Sequence, residues 1–408
     1  MKYIILVGDG MGDFPLPDLE GKTPLEAANT PTIDHLCQHG ELFRLQTVPT
    51  GMHPGSDIAN LSLLGYEPQH FYTGRAPLEA ASMGIDLAEG ETAYRCNLVT
   101  LEKNTDGSLI MVDFSAGHIP TAESNFLIRG IQDELGSYWF HFYPGISYRH
   151  LMVYKNSLSD LETAPPHDYI GQDVSEFWNR YLQYPELQLM LESARKFLEN
   201  HQINKQRIER GLLPANGIWL WGEGKAPTIP TIKELFGLEG SLISAVDLLK
   251  GIGSYGGLGI INVEGATGDL DTNYAGKATA ALKALEEQDF VFVHLEAPDE
   301  AGHQGNVRDK VRAIENFDSK IVKPIVEGLQ SMEGAPDFRL VVCMDHFTPI
   351  STRTHSDNPV PVLLYDSRQQ GSGSGLSYTE ANGEKSNTLL PSGRFFLNKL
   401  LERDTQTP

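Results

Sequence analysis

The sequence is short of cysteines and of basic residues, and each shortage excludes a class of protein. Cys37, Cys96 and Cys343 are far apart in a chain of 408 residues, too few and too scattered for a disulfide framework or a paired metal motif. We therefore expect a cytoplasmic protein. Lys and Arg number 32 against 54 Asp and Glu, a formal net charge of −22. This excess of negative charge argues against nucleic acid or an anionic membrane surface as a partner.

The sequence also lacks long apolar runs and the usual nucleotide loop. No stretch approaches the length of a membrane span, and the first residues lead directly into a strand pattern, so neither an anchor nor a signal peptide is predicted. No Gly-x-x-x-x-Gly-Lys-Ser/Thr motif is present, so a kinase of this sequence would need an unusual donor site. A hydrophobic content of 40% over this length is typical of a globular α/β protein of about two domains.

Carboxylates and imidazoles follow three apolar segments that are typical of buried parallel strands, at 3–7, 289–295 and 338–344, with His355 in the loop after the third. The clustered residues are Asp9, Asp299, His303, Asp345, His346 and His355. Ligands of open α/β sheets bind at the carboxyl ends of the strands, so we expect these side chains to meet there. Oxygen and nitrogen donors without thiolate suit Mn²⁺, Zn²⁺, Co²⁺ or Mg²⁺. The pattern predicts a centre of two divalent ions that moves a phosphoryl group.

Ser56 is the candidate nucleophile for such a centre. It follows a Pro54-Gly55 turn and precedes a helix pattern at 57–64, and a helix start favours an anion such as an alkoxide or a phosphoserine. Taken alone, a serine before a helix is most often an N-cap, and an aspartate after a strand is often a cap or turn residue. The placement of all seven residues at strand and helix ends favours the metal centre over independent caps.

Nine short segments carry a resemblance to a known family. They are 8–13, 22–28, 54–57, 74–77, 95–97, 148–150, 166–168, 265–268 and 299–303. In these segments, and over nearly its full length, the chain resembles the archaeal-type cofactor-independent phosphoglycerate mutases of the alkaline phosphatase superfamily. The resemblance implies an α/β fold with a mostly parallel sheet sandwiched by helices and an inserted, smaller α+β lid domain.

The resemblance also implies residue roles. It assigns Asp9, Ser56, Asp345 and His346 to one divalent ion, and Asp299, His303 and His355 to the other. Ser56 is implied to be transiently phosphorylated, and Lys250 to lie near the transferred phosphate, while 3-phosphoglycerate and 2-phosphoglycerate interconvert without 2,3-bisphosphoglycerate. The candidate substrate-binding residues are Arg75, Arg95, Asp113, Arg149, His150, His167 and Asp168. Their alternative role is ordinary surface ion pairing.

Three positions depart from the family pattern. Phe114, His118 and Trp221 stand in segments where archaeal members typically have arginines, and an aromatic ring cannot imitate the fork that arginine offers to phosphate or carboxylate. An acidic, aromatic pocket suits an ammonium group better. A homoserine kinase-like transfer to a small amino-acid alcohol therefore stays open as an alternative, as does a metallophosphatase. In either case the partner is a small phosphorylated or hydroxylated metabolite, and the oligomeric state is open.

The predicted metal ligands lie near both ends of the chain, which sets the expected domains. Residues 1–66 and 240–408 should fold together as the metal-binding domain, with 67–239 inserted as the substrate-binding lid. Within the insertion, one helix is expected over about 185–209. The segment 369–375, rich in glycine and serine, is expected to form a flexible surface loop.

Overall fold

The computed structural model of the chain describes residues 1–156, 158, 161–369 and 373–403. Its strands are β1 (Lys2–Gly8), β2 (Glu41–Leu45), β3 (Thr92–Lys103), β4 (Leu109–Asp113), β5 (Phe140–Tyr143), β6 (Arg149–Tyr154), β7 (Gly217–Gly224), β8 (Gly240–Ile243), β9 (Gly259–Ile260), β10 (Phe290–Leu295), β11 (Phe338–Cys343), β12 (Val360–Asp366) and β13 (Leu389–Leu390). Of the predicted loop at 369–375, residues 370–372 lie outside the described ranges.

The α-helices of the described residues are α1 (Pro24–Ala27), α2 (Pro31–His39), α3 (Ser56–Leu63), α4 (Pro68–Phe71), α5 (Arg75–Ser82), α6 (Thr121–Leu135), α7 (Ser175–Tyr181), α8 (Pro185–Asn200), α9 (Gln202–Glu209), α10 (Ile232–Phe236), α11 (Asp247–Tyr255), α12 (Tyr274–Glu287), α13 (Ala297–Gln304), α14 (Val307–Phe317), α15 (Lys323–Ser331), α16 (Glu380–Lys385) and α17 (Gly393–Leu400). Two 3₁₀ turns, Pro17–Leu19 and Pro166–Tyr169, and a π-helical turn, Asp318–Val322, complete the helical elements. None of the described helices has the length and apolar character that crossing a bilayer requires.

The chain divides into two compact units, Met1–Tyr72 with Thr228–Pro408, and Thr73–Pro227. The first unit contains an eight-stranded sheet in the order β13-β2-β12-β11-β1-β10-β8-β9. Strand β12 is antiparallel to both of its neighbours, and the other pairs are parallel. Strand β1 lies between β10 and β11, and its residues 4–7 are fully buried, as its β-branched sequence predicts. The predicted α/β class with a mostly parallel sheet is confirmed.

The second unit is built on an antiparallel five-stranded sheet in which β3 pairs with β4, β6 and β7, and β6 pairs with β5. Helices α6 and α8 pack on each other beside it. The four tryptophans of the chain, Trp139, Trp178, Trp219 and Trp221, all belong to this unit. The helix expected over 185–209 is two helices, because the backbone of His201 is extended and its side chain accepts a hydrogen bond from Ile203 N.

The boundaries of the units differ from the predicted ones at 66/67 and 239/240. Residues up to Tyr72 stay with the first unit because the Tyr72 hydroxyl donates to Asp57 Oδ2 at 2.7 Å and α4 packs on α3. Residues from 228 onward stay with it because Pro230 O accepts from the Tyr66 hydroxyl at 2.9 Å. These hydrogen bonds join the residues beside each predicted boundary to the first unit. The role of the second unit as a lid stays a prediction.

Candidate active site

Three side chains meet at the carboxyl ends of the central strands. Asp9 directly follows β1, and its backbone N–H donates to Leu295 O at the end of β10. Asp345 and His346 follow β11 on the other side and are fully buried. His346 Nε2 lies 3.5 Å from Asp9 Oδ1 and 3.5 Å from Asp345 Oδ2. These three residues offer ligand atoms within 4.8 Å of one another, as their positions after parallel strands predict.

Gly10 allows this loop to approach the second group of side chains. Its φ of +60° lies in the left-handed region, and a Cβ there would stand 2.6 Å from Asp299 Oδ1 and 2.6 Å from Thr348 Oγ1. Any other residue would therefore meet both strain and steric overlap. The close packing of the site therefore requires glycine at position 10.

The second group consists of Asp299 and His303 on helix α13 and of His355 in the loop between β11 and β12. Helix α13 begins immediately after β10, so Asp299 and His303 are one turn apart on the same face. Asp299 Oδ2 lies 3.2 Å from His303 Nε2, and Asp299 Oδ1 lies 3.5 Å from His355 Nε2. His303 Nε2 and His355 Nε2 are 2.9 Å apart. Asp299, His346 and His355 also offer ligand atoms within 4.8 Å of one another, so His346 borders both groups.

Ser56 is the first residue of α3, and its hydroxyl faces the cluster. Gly55 occupies the N-cap position, and this helix has no side-chain cap, so the N-cap alternative for Ser56 is wrong. Ser56 Oγ lies 3.2 Å from His346 Nε2. The serine thus combines a helix start with direct contact to an imidazole of the site, which is the placement expected of a nucleophile.

The electrostatics of the site fit a bound cation. Burial, and then the charges of Asp345 and Asp299, raise the pKa of Asp9 well above its usual value. Asp9 Oδ1 is buried without a hydrogen-bond partner among the described residues. An unpartnered carboxylate oxygen beside two further carboxylates is costly unless positive charge reaches it. Carboxylate oxygens and imidazole nitrogens are donors that divalent cations accept.

The second group carries charge of its own. Burial raises the pKa of Asp299, but hydrogen bonds from His303 and His355 outweigh this and hold it well below its usual value. The hydrogen bond to Asp299 in turn raises the pKa of His303 to about 9. The protonated His303 and the ionised Asp299 stabilise each other, and a divalent cation would take the place of that proton.

Sequence reasoning missed four residues that support the site. Asn60 Nδ2 donates to Asp345 Oδ2 at 2.9 Å and to Ser56 O at 2.8 Å, and its i, i+4 spacing from Ser56 is the signal that could have found it. Thr348 Oγ1 donates to Asp299 Oδ1 at 2.5 Å. His294 and Lys277 are fully buried, and Lys277 Nζ donates to His294 O at 2.9 Å.

Burial affects the charge of both missed basic residues. It lowers the pKa of His294 to about 4 and that of Lys277 to about 8. A neutral His294 is therefore expected at neutral pH. The sequence signal for His294 is its position as the polar residue of the apolar segment 290–295.

Lys250 lies on α11, a helix that packs on α3. Its ammonium lies 3.3 Å from Asp247 Oδ1. The packing places Lys250 on a neighbour of the Ser56 helix without a described contact to Ser56 itself. Its role near the transferred phosphate stays a prediction.

In the second unit the structure groups some of the predicted substrate residues. Arg95 is buried on β3, where its Nε donates to Glu79 Oε2 at 2.9 Å and its guanidinium lies 4.0 Å from the centre of the Trp221 ring. Arg75 Nε lies 3.4 Å from the other oxygen of Glu79. Burial lowers the pKa of Arg95 to about 10, which leaves it charged at neutral pH. Arg75, Arg95 and Glu79 together therefore carry one net positive charge.

The Trp221 ring beside Arg95 belongs to a group of rings in contact with one another. Phe114 contacts His118, Tyr148 and His167 at centroid distances of 6.1, 5.3 and 6.0 Å. His167 in turn lies 5.4 Å from Trp221. The three residues that depart from the family pattern thus belong to one aromatic cluster, which we define as Phe114, His118, Tyr148, His167 and Trp221.

The remaining predicted substrate residues have other surroundings. Asp113 Oδ1 accepts from Ser115 N and from Gly117 N, which shapes the turn after β4. His150 is buried, and its Nδ1 accepts from Gly145 N at 3.0 Å. Arg149 is exposed and lies 5.8 Å from the Tyr148 ring, and Asp168 lies 3.7 Å from His167 Nε2. Asp113 and His150 thus accept hydrogen bonds from the backbone. The substrate-binding roles of Asp113, Arg149, His150 and Asp168 stay predictions.

Comparison with known proteins agrees with this architecture. The family model described as 2,3-bisphosphoglycerate-independent phosphoglycerate mutase matches residues 37–204. A Geobacter sulfurreducens protein named "Probable 2,3-bisphosphoglycerate-independent phosphoglycerate mutase" is 48% identical, covering 99% of this chain and 100% of its own. The 2,3-bisphosphoglycerate-independent phosphoglycerate mutase of Methanosarcina barkeri is 47% identical, covering 94% and 95%.

Solved structures are also similar. A Pyrococcus horikoshii protein superimposes with a TM-score of 0.81 at 27% identity, covering 100% of this chain and 99% of its own. The cofactor-independent phosphoglycerate mutase of Thermoplasma acidophilum gives a TM-score of 0.65 at 28% identity, covering 98% and 99%. With relatives of this identity aligned over almost the whole sequence, the chain belongs to the 2,3-bisphosphoglycerate-independent phosphoglycerate mutase family.

Proposed function

We propose that the chain interconverts 3-phosphoglycerate and 2-phosphoglycerate as a two-metal phosphotransferase, with Ser56 as the residue that carries the phosphoryl group. The observation that supports this is the position of Ser56 Oγ, 3.2 Å from His346 Nε2 at the start of α3. His346 borders both groups of candidate ligands. The substrate comes from the names of the relatives in Geobacter sulfurreducens and Methanosarcina barkeri.

The candidate ligands divide between two cations. Asp9, Asp345 and His346, with Ser56, would hold one, and Asp299, His303 and His355 would hold the other. Their oxygen and nitrogen donors suit Mn²⁺, Zn²⁺, Co²⁺ or Mg²⁺. When bound, such ions lower the pKa of a coordinated hydroxyl and offset the charge of the transferring phosphoryl group.

The chain itself supplies orientation and electrostatics. The free N–H groups at the start of α3 favour negative charge on Ser56, and Asn60 holds both the Ser56 carbonyl and the Asp345 carboxylate. Arg75 and Arg95 are candidates for binding the anionic groups of the substrate, since guanidinium groups pair with carboxylate and phosphate. Closure of the second unit as a lid would keep water from the phosphoserine, which is the difference between a mutase and a phosphatase.

The test is a phosphorus NMR assay of the purified protein with Mn²⁺ and 3-phosphoglycerate. We expect 2-phosphoglycerate to form, and a phosphorylated Ser56 peptide to appear after rapid quenching. Ser56→Ala should abolish both signals, whereas Ser62→Ala, a buried serine of the same helix, should retain them. Turnover in Ser56→Ala would contradict the phosphoserine route.

Metal stoichiometry tests the ligand assignment separately. Asp299→Asn and His303→Ala should each lower the metal content of the protein by one ion per chain in elemental analysis. A content equal to that of the unmodified protein would contradict the placement of the second ion.

A second candidate, transfer to an amino-acid alcohol such as homoserine, is favoured by the aromatic cluster. Phe114, His118 and Trp221 replace expected arginines and contact one another or His167. Aromatic faces attract an ammonium group and do not pair with a carboxylate. Formation of phosphohomoserine from homoserine and a phosphate donor, with no change in 3-phosphoglycerate, would favour this reaction. Release of inorganic phosphate alone would indicate a metallophosphatase.

A further inference from the structure

The carboxylates of the candidate metal centre are held by neutral hydrogen-bond donors. Asn60 Nδ2 donates to Asp345 Oδ2 at 2.9 Å, and Thr348 Oγ1 donates to Asp299 Oδ1 at 2.5 Å. Such contacts orient a carboxylate toward a cation. Asp9 lacks an amide or hydroxyl of this kind among its described contacts. The group beside it is the imidazole of His294, whose Nε2 lies 3.1 Å from Asp9 Oδ2.

The fold places His294 against Asp9 through the central strand pair. His294 lies opposite Val7 in the parallel pairing of β1 with β10, and Leu295 O accepts the backbone N–H of Asp9 at 2.9 Å. The end of β10 therefore contacts Asp9 through both backbone and side chain. Lys277 Nζ donates to His294 O at 2.9 Å, which fixes this strand end from the opposite side.

Ser244 favours the tautomer of His294 that can donate to Asp9. Ser244 Oγ lies 3.4 Å from His294 Nδ1 and already accepts from Val246 N at 3.0 Å. Its own proton is therefore available for Nδ1. A neutral imidazole that accepts at Nδ1 carries its proton on Nε2, the nitrogen that faces Asp9.

The two oxygens of Asp9 have different surroundings. Oδ2 faces His294, whereas Oδ1 faces His346 Nε2 at 3.5 Å. Neither Asp9 Oδ1 nor His294 Nε2 has an aligned hydrogen-bond partner among the described residues. Buried polar atoms of this kind need an explanation. A cation at Oδ1 and a hydrogen bond from Nε2 to Oδ2 would satisfy both.

We propose that His294 is a positioning residue, which donates from Nε2 to Asp9 Oδ2 and thereby presents Asp9 Oδ1 to the cation of the first group. This inference rests on the proposed role of Asp9 as a metal ligand. It assigns a function to a buried histidine that would otherwise only fill space in the core of the sheet.

Direct metal binding tests the inference. Mn²⁺ is titrated calorimetrically into metal-free protein that carries His294→Leu or His294→Gln. The leucine variant removes the donor, and we expect the affinity at one site to fall about 10–100-fold. Glutamine places an N–H donor near the former Nε2 and should bind Mn²⁺ within about threefold of the unmodified protein. Equal affinity in the leucine and unmodified proteins would overturn the proposal.

Phe292→Leu is the matched control, since Phe292 is buried on the same face of the same strand. It tests whether damage to strand packing alone weakens Mn²⁺ binding, and we expect no change in affinity. A loss as large as that of His294→Leu would overturn the proposal. Should His294→Leu fail to fold, Ser244→Ala decides, because it leaves the ring in place while removing its Nδ1 partner, together with the acceptor of Val246 N. Weaker Mn²⁺ binding supports the proposal, and unchanged binding overturns it.

The absorption spectrum of the Co²⁺-loaded protein separates a positioning residue from a ligand. The spectrum should be the same in His294→Gln and in the unmodified protein, whereas a changed spectrum would identify the ring as a ligand and overturn the proposal. These readouts are independent of turnover. Unmodified protein that binds Mn²⁺ but leaves 3-phosphoglycerate unchanged would contradict the proposed reaction and not the role of His294, while protein that binds no divalent cation would overturn both.

Discussion

Lys310 is expected to be a principal source of stability in the first unit. It is fully buried, and its ammonium donates to Asp13 Oδ2 at 2.8 Å, Gly12 O at 3.0 Å and Thr348 O at 2.8 Å. All three of its protons are therefore used. The side chain ties the loop after β1 to the loop that follows His346. Asp13 is itself 1% exposed.

Lys310→Met should lower the melting temperature of the metal-free protein by a large amount. The variant leaves the Asp13 carboxylate buried without its cation, and removing one partner of a buried ion pair costs about 3–5 kcal/mol. For a unit of about 250 residues, each kcal/mol shifts the melting temperature by about 2–4 °C, so the expected loss is about 6–20 °C. Circular dichroism in the presence of a chelator measures it. Since the four tryptophans lie in the second unit, their fluorescence should report an unchanged transition there.

Lys277→Met is the control for this experiment. Lys277 is equally buried, but its ammonium donates to a carbonyl, His294 O, and the charge of Glu296 also acts on it. We expect a smaller shift than for Lys310→Met, because losing the contact to a carbonyl costs about 1–3 kcal/mol, less than the about 3–5 kcal/mol of a broken buried ion pair. A Lys310→Met variant that melts within about 2 °C of the unmodified protein would refute the reasoning. An equal loss in both variants would do so as well.

Three further predictions concern other partners of buried charge. Asn60→Leu removes the amide that donates to Asp345 and should weaken Mn²⁺ binding about 10–100-fold in calorimetry, and unchanged affinity would contradict this. Glu79→Leu leaves Arg95 buried without its carboxylate and should destabilise the second unit by about 3–5 kcal/mol, seen as earlier unfolding by tryptophan fluorescence in urea, whereas Glu79→Gln should retain part of the stability. Burial raises the pKa of Glu380 from 4.5 to about 7, so the stability that it contributes below pH 4.5 is lost as the pH rises through 7. Glu380→Gln should flatten the fall in urea resistance between about pH 5 and pH 8, and an unaltered pH profile would disprove this.

Much of the site could be predicted from sequence because it depends on local patterns. Apolar segments followed by Asp9, Asp299 or Asp345 identify strand ends, and parallel strands bring those ends to one edge of a sheet. The α/β class follows from the same segments, and the structure confirms it. The resemblance added the division of the ligands between two ions, which spacing alone does not give.

Apart from the contact of Asn60 with Ser56, the supporting contacts could not be predicted, because they depend on which strands become neighbours. Local sequence patterns do not show that β1 lies between β10 and β11. Without that strand order, His294 is only a polar residue in an apolar strand. The same holds for Thr348, whose hydroxyl matters only because Asp299 lies beside it. The unit boundaries differ from the predicted ones for a similar reason, since a hydrogen bond such as that from Tyr72 to Asp57 joins residues across a turn.

The position of β1 in the sheet has a consequence for biosynthesis. This strand is translated well before both of its hydrogen-bonded neighbours, β10 and β11, which begin at residues 290 and 338. Until then the nascent chain carries an apolar strand with two unpaired edges, a hazard for aggregation. The intervening segment 73–227 forms a compact unit of its own, and we expect it to fold before β10 is translated. Elongation pauses, chaperone occupancy and premature termination are therefore expected to affect the first unit far more than the inserted one.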